Sequence, residues 1–234
     1  MRQLFAALTI ALFGAAPAAV QAQNTTVVEL YTSQGCSSCP PADKLLHEIA
    51  KRDNVIALAL HVDYWDYIGW KDEFADPQYT ERQKAYARAA GARSIYTPQM
   101  VIGGMDHVVG TKPSEVTAHL ANHAQKAPLV EVIGDRSGNA ITVRAEPAGG
   151  NRIQGGVAVY VVTYRPSSTV EIRRGENAGR TLDYANVVVS LTEARPWTGR
   201  GSYELKASLP DAHPSVVIFQ RPDMGEILGA IELR

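Results

Sequence analysis

The sequence predicts a mixed α/β domain followed by an all-β domain of sandwich-like form. Two observations lead to this expectation. Up to residue 127, apolar β-branched runs alternate with segments whose apolar residues recur at helical spacing, which is typical of an α/β domain. Beyond residue 127, short apolar or alternating runs are separated by Gly, Pro and Asn, and no segment has a convincing helical period. We place the two domains at residues 23–127 and 128–234.

In the N-terminal half the elements are predicted in the order β-α-β-α-β-β-α. Pro40-Pro41 opens the first helix, because proline is tolerated in a first helical turn. The second helix has Asp76 as its N-cap and Gly91 as its stop. The predicted strands are 26–32, 55–62, 99–102 and 107–110, and the predicted helices are 40–52, 77–90 and 114–125. In the C-terminal half the predicted strands are 129–133, 140–145, 157–164, 187–191, 203–207 and 215–220.

The first residues have the form of a secretory signal peptide. A short basic start at Met1-Arg2 precedes an apolar, Ala-rich run, and Val20-Gln21-Ala22 provides the small residues that a signal peptidase reads. We expect cleavage after Ala22 and export, with the periplasm as the compartment. The alternative is a membrane anchor, but the apolar run is short and contains Pro17, so no stable membrane span is expected in the mature chain.

The overall charge argues against two classes of partner. The formal net charge is −1, and the chain has no basic run. Nucleic acid and anionic membrane surfaces are therefore not expected as partners. A hydrophobic content of 45% is enough for an ordinary globular core.

The two cysteines of the chain, Cys36 and Cys39, lie two residues apart between the first strand and the first helix. Such a pair can be a redox couple, half of a metal site or a structural disulfide. The N–H groups and partial positive charge of a helix N-terminus favour the thiolate of Cys36. A CxxC pair before a helix in a βαβ setting is a strong redox signal.

The CxxC turn, together with Tyr96-Thr97-Pro98 before a short strand, resembles the thioredoxin superfamily. The stretches VVELYTSQGCSSCPPAD, ALHVDYWDYIGWKD, YTPQMVI and GENAGRTLDYANVV are similar to an exported thioredoxin-like family catalogued as domain of unknown function 1223, which carries no established reaction. The resemblance implies a thioredoxin-like fold for residues 23–127, with a mixed sheet flanked by helices.

The same resemblance implies roles for five residues. Cys36 would attack a substrate disulfide and Cys39 would resolve the mixed disulfide. Pro98 would be a cis proline facing the cysteines, which leaves the backbone of Thr97 free to pair with an extended substrate. Glu29, if buried, would be a proton relay for Cys39, and the alternative is an exposed strand carboxylate. The expected partner is an exported protein or peptide with thiols or disulfides, beside an unidentified redox partner, and no dissociable cofactor is needed.

The stretch 61–74 is unusually aromatic. Tyr64, Trp65 and Trp70 lie near the C-terminal end of a predicted strand, an edge where ligands bind in open α/β sheets. We consider them candidate substrate-binding residues, the alternative being that they pack the joint between the two domains. The polar loop 173–182, RRGENAGRTL, is predicted to be a hairpin connection, and we assign no site to it.

Three functions remain open on these grounds. The first is a thiol–disulfide oxidoreductase acting through Cys36 and Cys39. The second is a redox-inactive binding module whose disulfide is structural. The third is a soft-metal protein, for instance for copper, in which the two cysteines are joined by another residue. The candidate further ligands are His61, His107, Met100 and Met105. The first is the function that we expect, and for it no metal site is assigned.

Overall fold

The structure is a computed structural model that describes residues 25–234 together with Val20–Gln21. The predicted signal peptide otherwise lies outside the described residues. The helices are α1 (Pro40–Ile49), α2 (Pro77–Ala89) and α3 (Pro113–Ala124). The strands are β1 (Val20–Gln21), β2 (Thr26–Thr32), β3 (Val55–His61), β4 (Gln99–Ile102), β5 (Asp106–Val109), β6 (Val130–Ser137), β7 (Ala140–Pro147), β8 (Ala158–Glu171), β9 (Thr181–Glu193), β10 (Tyr203–Ser208), β11 (Ser215–Gln220) and β12 (Ile227–Leu233). Within the described part of the chain, no helix is long and apolar enough to cross a membrane.

All three helices begin with a proline, as the sequence predicts for α1 and α2. The missing N–H of a proline has no partner to lose in a first helical turn. The N-terminus of α2 is also capped as predicted, because the side chain of Asp76 accepts a hydrogen bond of 2.8 Å from the backbone N–H of Gln78.

The strands form a large mixed sheet and a smaller antiparallel one. The large sheet has eight strands in the order β12-β11-β8-β9-β3-β2-β4-β5, in which β3 pairs in parallel with β2 and β9, and the other neighbours are antiparallel. The small sheet has the order β1-β6-β7-β10. A mixed α/β architecture is therefore confirmed.

The predicted division into two domains is not confirmed, because the large sheet contains strands from both halves of the chain. The junction is a parallel pairing of Ala59 in β3 with Val187 in β9. Beside it, Asn186 donates from its side chain to the carbonyl of Ala57 at 2.8 Å. One apolar core also spans the junction, and it joins residues of β2 and β3 to residues of β8 and β11.

A second apolar core lies between the small sheet and the strands β8, β11 and β12. The small sheet thus packs on the part of the large sheet formed by these three strands. Strand β12 was not predicted. Its Gly229 approaches Val130 so closely that a Cβ would lie 2.5 Å from the carbonyl oxygen, and glycine in a strand weakens the sequence signal.

The two faces of β2 and β3 contact different helices. Val28, Leu30 and the residues of β3 that share their face pack against α1 and α3. Val27 and Tyr31, on the opposite face of β2, share a core with Tyr86 of α2. This alternation, with its period of two residues, decides which polar side chains can approach the start of α1.

Candidate functional site

The cysteine pair lies where β2 ends and α1 begins. Cys36 and Cys39 form a disulfide with their Cα atoms 5.4 Å apart, within the usual range for such bonds. Cys39 is the N-cap residue of α1, and Pro40 follows it as the first helical residue. Both cysteines are buried, with exposed fractions of 2% for Cys36 and 0% for Cys39. The disulfide is therefore covered, although it lies at a helix start.

The sulfur of Cys36 has hydroxyl groups beside it. The hydroxyl of Thr97 donates to Cys36 Sγ at 3.3 Å, and Ser38 Oγ lies 3.5 Å from the same sulfur. Trp65 in turn donates from Nε1 to Thr97 Oγ1 at 2.7 Å, which directs the hydroxyl hydrogen of Thr97 away from the ring and toward the sulfur. The peptide bond between Thr97 and Pro98 is cis, as the resemblance to thioredoxins implies.

The segment that carries Thr97 is held by Gln83 of α2. The side-chain amide of Gln83 donates to the carbonyl of Tyr96 at 2.7 Å and to Gln99 Oε1 at 2.8 Å. Its oxygen accepts from the hydroxyl of Tyr64 at 3.2 Å. Burial is the main cause that raises the pKa of Tyr64, to about 12, so this hydroxyl stays protonated and can donate at neutral pH.

A buried group of titratable side chains lies on the α1 face beside the cysteine pair. His61, the last residue of β3, contacts Asp72 with 2.7 Å between Nδ1 and Oδ2. Asp72 Oδ2 also accepts from the backbone N–H of Gln34 at 2.8 Å. Asp43, one helical turn after Cys39, accepts a 2.7 Å hydrogen bond from the hydroxyl of Thr32. The carboxylates thus hold the turn before Cys36 and the helix after Cys39.

Burial and the charges of neighbouring residues shift the pKa values of these side chains in opposite directions. Burial raises the pKa of Asp43 to about 7, and the nearby His61 only partly offsets it. Burial also opposes the charging of His61 and of Asp72, but the attraction between these two outweighs burial, so the pKa of His61 is raised and that of Asp72 is lowered. Asp43 can therefore gain or lose a proton near neutral pH while the other two stay paired.

Several polar atoms of this buried group have no hydrogen-bond partner among the described residues. They include Asp43 Oδ2, His61 Nε2, Gln34 Nε2 and Tyr184 Oη. The ring of Tyr184 contacts that of His61 edge-on, with 4.8 Å between the centroids.

Glu29, predicted to exchange protons with Cys39, lies on the face of β2 turned away from α1. It is fully buried, as the prediction requires, but its carboxylate accepts from Arg82 Nε at 2.6 Å and from Nη2 at 3.2 Å, and also from the hydroxyl of Tyr86. Gln220 of β11 contacts both Arg82 and Tyr86. The charge pair between Glu29 of β2 and Arg82 of α2 explains the burial of Glu29, whose role as a proton relay stays an untested prediction.

The three candidate aromatic residues have different environments. Trp65 is half-buried next to Thr97, and its ring stacks on that of the exposed Tyr67 with 6.5 Å between centroids. Tyr64 is half-buried beside Trp65. Tyr64 and Trp65 also pack against the core that spans the junction of the two halves, and Trp70 packs against the core formed by β8 and β9, which agrees for all three with the alternative of a packing role. Trp65, with the exposed Tyr67 stacked on it, is connected to Cys36 through the hydroxyl of Thr97.

The loop to which no site was assigned lies against the CxxC turn. Asn177 donates from Nδ2 to the carbonyl of Gln34 at 2.9 Å and to that of Cys36 at 3.0 Å. Glu176 accepts from the backbone N–H of Ser37 at 3.3 Å. Sequence reasoning missed this because the polar residues 165–171 do not read as a strand, whereas β8 continues to Glu171 and carries the loop to the cysteines.

For the soft-metal alternative, the structure bears on His, Cys, Asp and Glu ligands only. Among residues 25–234, no three His, Cys, Asp or Glu side chains come together in a way that could hold a metal ion. His61 is bound to Asp72, and His107 lies on the α2 side, where its ring contacts that of Tyr86.

The comparisons with known proteins agree with the family expected from the sequence. The family model described as "Protein of unknown function (DUF1223)" matches residues 27–220. Since this match covers most of the chain, the chain belongs to that family. Among curated proteins the comparison finds no match.

Two solved structures are similar to this one. The first is an Agrobacterium tumefaciens protein solved by a structural genomics consortium, with 30% sequence identity, a TM-score of 0.76, and coverage of 89% of this chain and 93% of that one. The second is HBP35 of Porphyromonas gingivalis, with 12% identity, a TM-score of 0.61, and coverage of 89% of this chain and 74% of that one. At 12% identity the second likeness concerns the fold alone.

Proposed function

We propose that this member of the DUF1223 family is an exported thiol–disulfide oxidoreductase that exchanges its Cys36–Cys39 disulfide with thiols or disulfides of a protein substrate. The observation that carries the proposal is the hydrogen bond from the Thr97 hydroxyl to Cys36 Sγ. A donor aimed at sulfur stabilises a thiolate there, which makes Cys36 the better leaving group and the nucleophile of the pair. Its position before a helix N-terminus adds to this stabilisation.

The exchange follows from the disulfide in two steps. A substrate thiolate attacks Cys36 Sγ, forming a mixed disulfide while the bond to Cys39 breaks and Cys39 leaves as a thiolate that takes up a proton. A second substrate thiolate then attacks the substrate sulfur of the mixed disulfide, and Cys36 leaves as a thiolate. The substrate loses two electrons and the protein gains them. In the reverse direction Cys36 attacks a substrate disulfide, and Cys39 resolves the intermediate.

The buried carboxyl of Asp43 supports proton handling in these steps. Asp43 lies one turn after Cys39 on the same helix, and its backbone N–H donates to the carbonyl of Cys39 at 3.1 Å. With a pKa of about 7, it can take or return a proton at neutral pH. His61 and Asp72 keep their charges paired beside it.

The proposal includes a thioredoxin-like arrangement of the N-terminal elements and an exported location. The order β2-α1-β3, then β4 and β5 as an antiparallel pair followed by α3, supports the first. The composition of residues 1–22 supports the second. Trp65 and Tyr67, near Thr97, provide a surface for the substrate polypeptide.

Trapping of the mixed disulfide tests the proposal. The Cys39→Ser variant keeps the attacking thiol but cannot resolve the intermediate, so it should accumulate a covalent adduct with a disulfide-containing protein such as scrambled ribonuclease. The Cys36→Ser variant is the matched control and should form little adduct, because Cys39 is the more buried of the two. Equal yields from the two variants would contradict the assigned roles.

A second candidate function is a binding module with a structural disulfide. The burial of both cysteines favours it, because catalytic cysteines are usually partly accessible. The two functions differ in one measurable property. If the protein is a binding module, the variant with both cysteines replaced by serine should still bind its ligand. If the protein is an oxidoreductase, the same variant should lose disulfide exchange.

A further inference from the structure

The loop that joins β8 to β9, residues 172–180 (called here the β8–β9 loop), is closed at its base and packed on the site. The N–H of Ile172 donates to the carbonyl of Arg180 at 2.8 Å, and the carbonyl of Ile172 accepts from the N–H of Gly179 at 2.7 Å. The side chain of Arg180 donates to Asn177 Oδ1 at 2.8 Å. The loop therefore presents Asn177 in a fixed orientation.

Asn177 reaches the cysteine turn with its amide group. Nδ2 donates to the carbonyls of Gln34 and Cys36, and the residue is buried, with an exposed fraction of 1%. Both N–H bonds of this amide are thus used on the segment that carries the attacked sulfur. Glu176 adds a contact to the N–H of Ser37, the residue after Cys36.

Gly175 allows the loop to approach this closely. Its φ of +76° lies in the region that favours glycine, and an added Cβ would be 3.1 Å from Trp70 Cβ. The indole of Trp70 in turn donates to Gln34 Oε1 at 2.7 Å. The loop and the Trp70 segment therefore contact each other, and both contact the turn that carries Cys36.

We propose that Asn177 is a positioning residue of the cysteine pair, and that the β8–β9 loop is a cover which must detach from the turn before a thiol can reach Cys36. The inference rests on the proposed exchange reaction for its biological meaning. It assigns to the C-terminal half of the chain a direct part in the site, because the cover belongs to the hairpin β8–β9.

Attack on the disulfide requires local opening. Because Cys36 as a residue is only 2% exposed, the rate of attack on its sulfur should scale with the population in which the covering groups have moved away. The closed state is held by hydrogen bonds from Asn177, and the loss of the Asn177 amide should raise the population of the open state. Losing two neutral hydrogen bonds corresponds to a population change of about tenfold.

The experiment is the second-order rate of reduction of the Cys36–Cys39 disulfide by dithiothreitol, followed by thiol alkylation and mass spectrometry. Asn177→Ala removes the amide. Asn177→Asp keeps an oxygen for Arg180 but removes both N–H donors. Val143→Ala, in the second core far along the chain from the loop, is a control for lost stability alone.

We expect both Asn177 variants to be reduced about tenfold faster than the wild type, with Val143→Ala unchanged. An Asn177→Asp variant that behaves like the wild type would show that the amide donors do not hold the cover, and unchanged rates in both variants would refute the proposal. If the Asn177 variants fold poorly, Glu176→Gln, at an exposed residue, should still accelerate reduction by about twofold, and its failure to do so would count against the cover. Because dithiothreitol replaces any protein substrate, this result is independent of whether the protein turns over a substrate.

Discussion

The hydroxyl of Thr97 donates to Cys36 Sγ at 3.3 Å while its own oxygen accepts from Trp65 at 2.7 Å. The two contacts fix the direction of a single hydrogen atom toward one of the two sulfurs. Residues from three separate segments meet there, since Cys36 follows β2, Trp65 follows β3 and Thr97 precedes β4. This convergence distinguishes the two cysteines chemically.

Thr97→Val tests this distinction. Valine has nearly the same shape but no donor, so the thiolate of Cys36 should form at a pH about one unit higher in the reduced protein, since a hydrogen bond to a charged group is worth ~1.5 kcal/mol. The measurement is the pH dependence of alkylation by iodoacetamide. Thr97→Ser keeps the hydroxyl and should behave like the wild type, and a Val variant with an unchanged profile would contradict the assignment.

Asp43→Asn should remove a pH dependence of stability. The pKa of Asp43 is raised from 3.8 to about 7 in the folded protein. The contribution of its neutral form to the free energy of unfolding is therefore fully present below pH 4 and is lost as the pH rises through 7. Asparagine stays neutral, and the stability of the variant relative to wild type should therefore increase from pH 4 to pH 7 by up to about 4 kcal/mol, at 1.36 kcal/mol per pKa unit. Urea unfolding across this range measures it. Parallel curves for the two proteins would contradict a buried neutral Asp43.

Asp72→Asn should destabilise the fold by about 3 kcal/mol or more at pH 7, because the buried His61 loses its negatively charged partner. The pKa of Asp72 is lowered, so its contribution is present above pH 4 and is lost as the pH falls further. The difference in unfolding free energy between variant and wild type should thus shrink below pH 4. Asp183→Asn, at an exposed residue, is the control. A difference that is constant with pH would be inconsistent with this pairing.

The Glu29→Gln variant separates the role of Glu29 from that of Asp43, the buried acid on the α1 face. We expect a loss of stability of about 3 kcal/mol or more, because Arg82 loses its buried counter-charge. The rate at which Cys39 resolves a mixed disulfide on Cys36 should stay as in the wild type, since Glu29 is bonded to α2 on the other face of β2. Slower resolution in a stably folded Glu29→Gln protein would restore the proton-relay role for Cys39 expected from the sequence.

Much of the N-terminal half could be predicted from the sequence because its signals are local. Pro40, Asp76 and Pro77 mark helix starts, and the apolar run of β3 reads as a strand covered on both faces. The disulfide pairing follows from the presence of only two cysteines, Cys36 and Cys39.

The contacts between distant segments could not be predicted in this way. Asn177 is 141 residues from Cys36, and the polar stretch before it conceals the second half of β8. The parallel pairing of β3 with β9 rests on one register position, which leaves no periodic signal in the sequence. Asp43 could have been noticed, since it lies among apolar residues on the buried face of α1 and a carboxylate there needs an explanation.

The most direct test of the account is the rate at which the mature protein reactivates scrambled ribonuclease in a glutathione buffer, compared with its Cys36→Ser variant. Reactivation requires disulfides of the substrate to be broken and formed again, so it reports exchange in both directions. The account predicts that the wild-type protein accelerates reactivation and that the Cys36→Ser variant leaves it at the rate of the buffer alone. Equal rates for the two proteins, both properly folded, would contradict a catalytic disulfide and support a structural one.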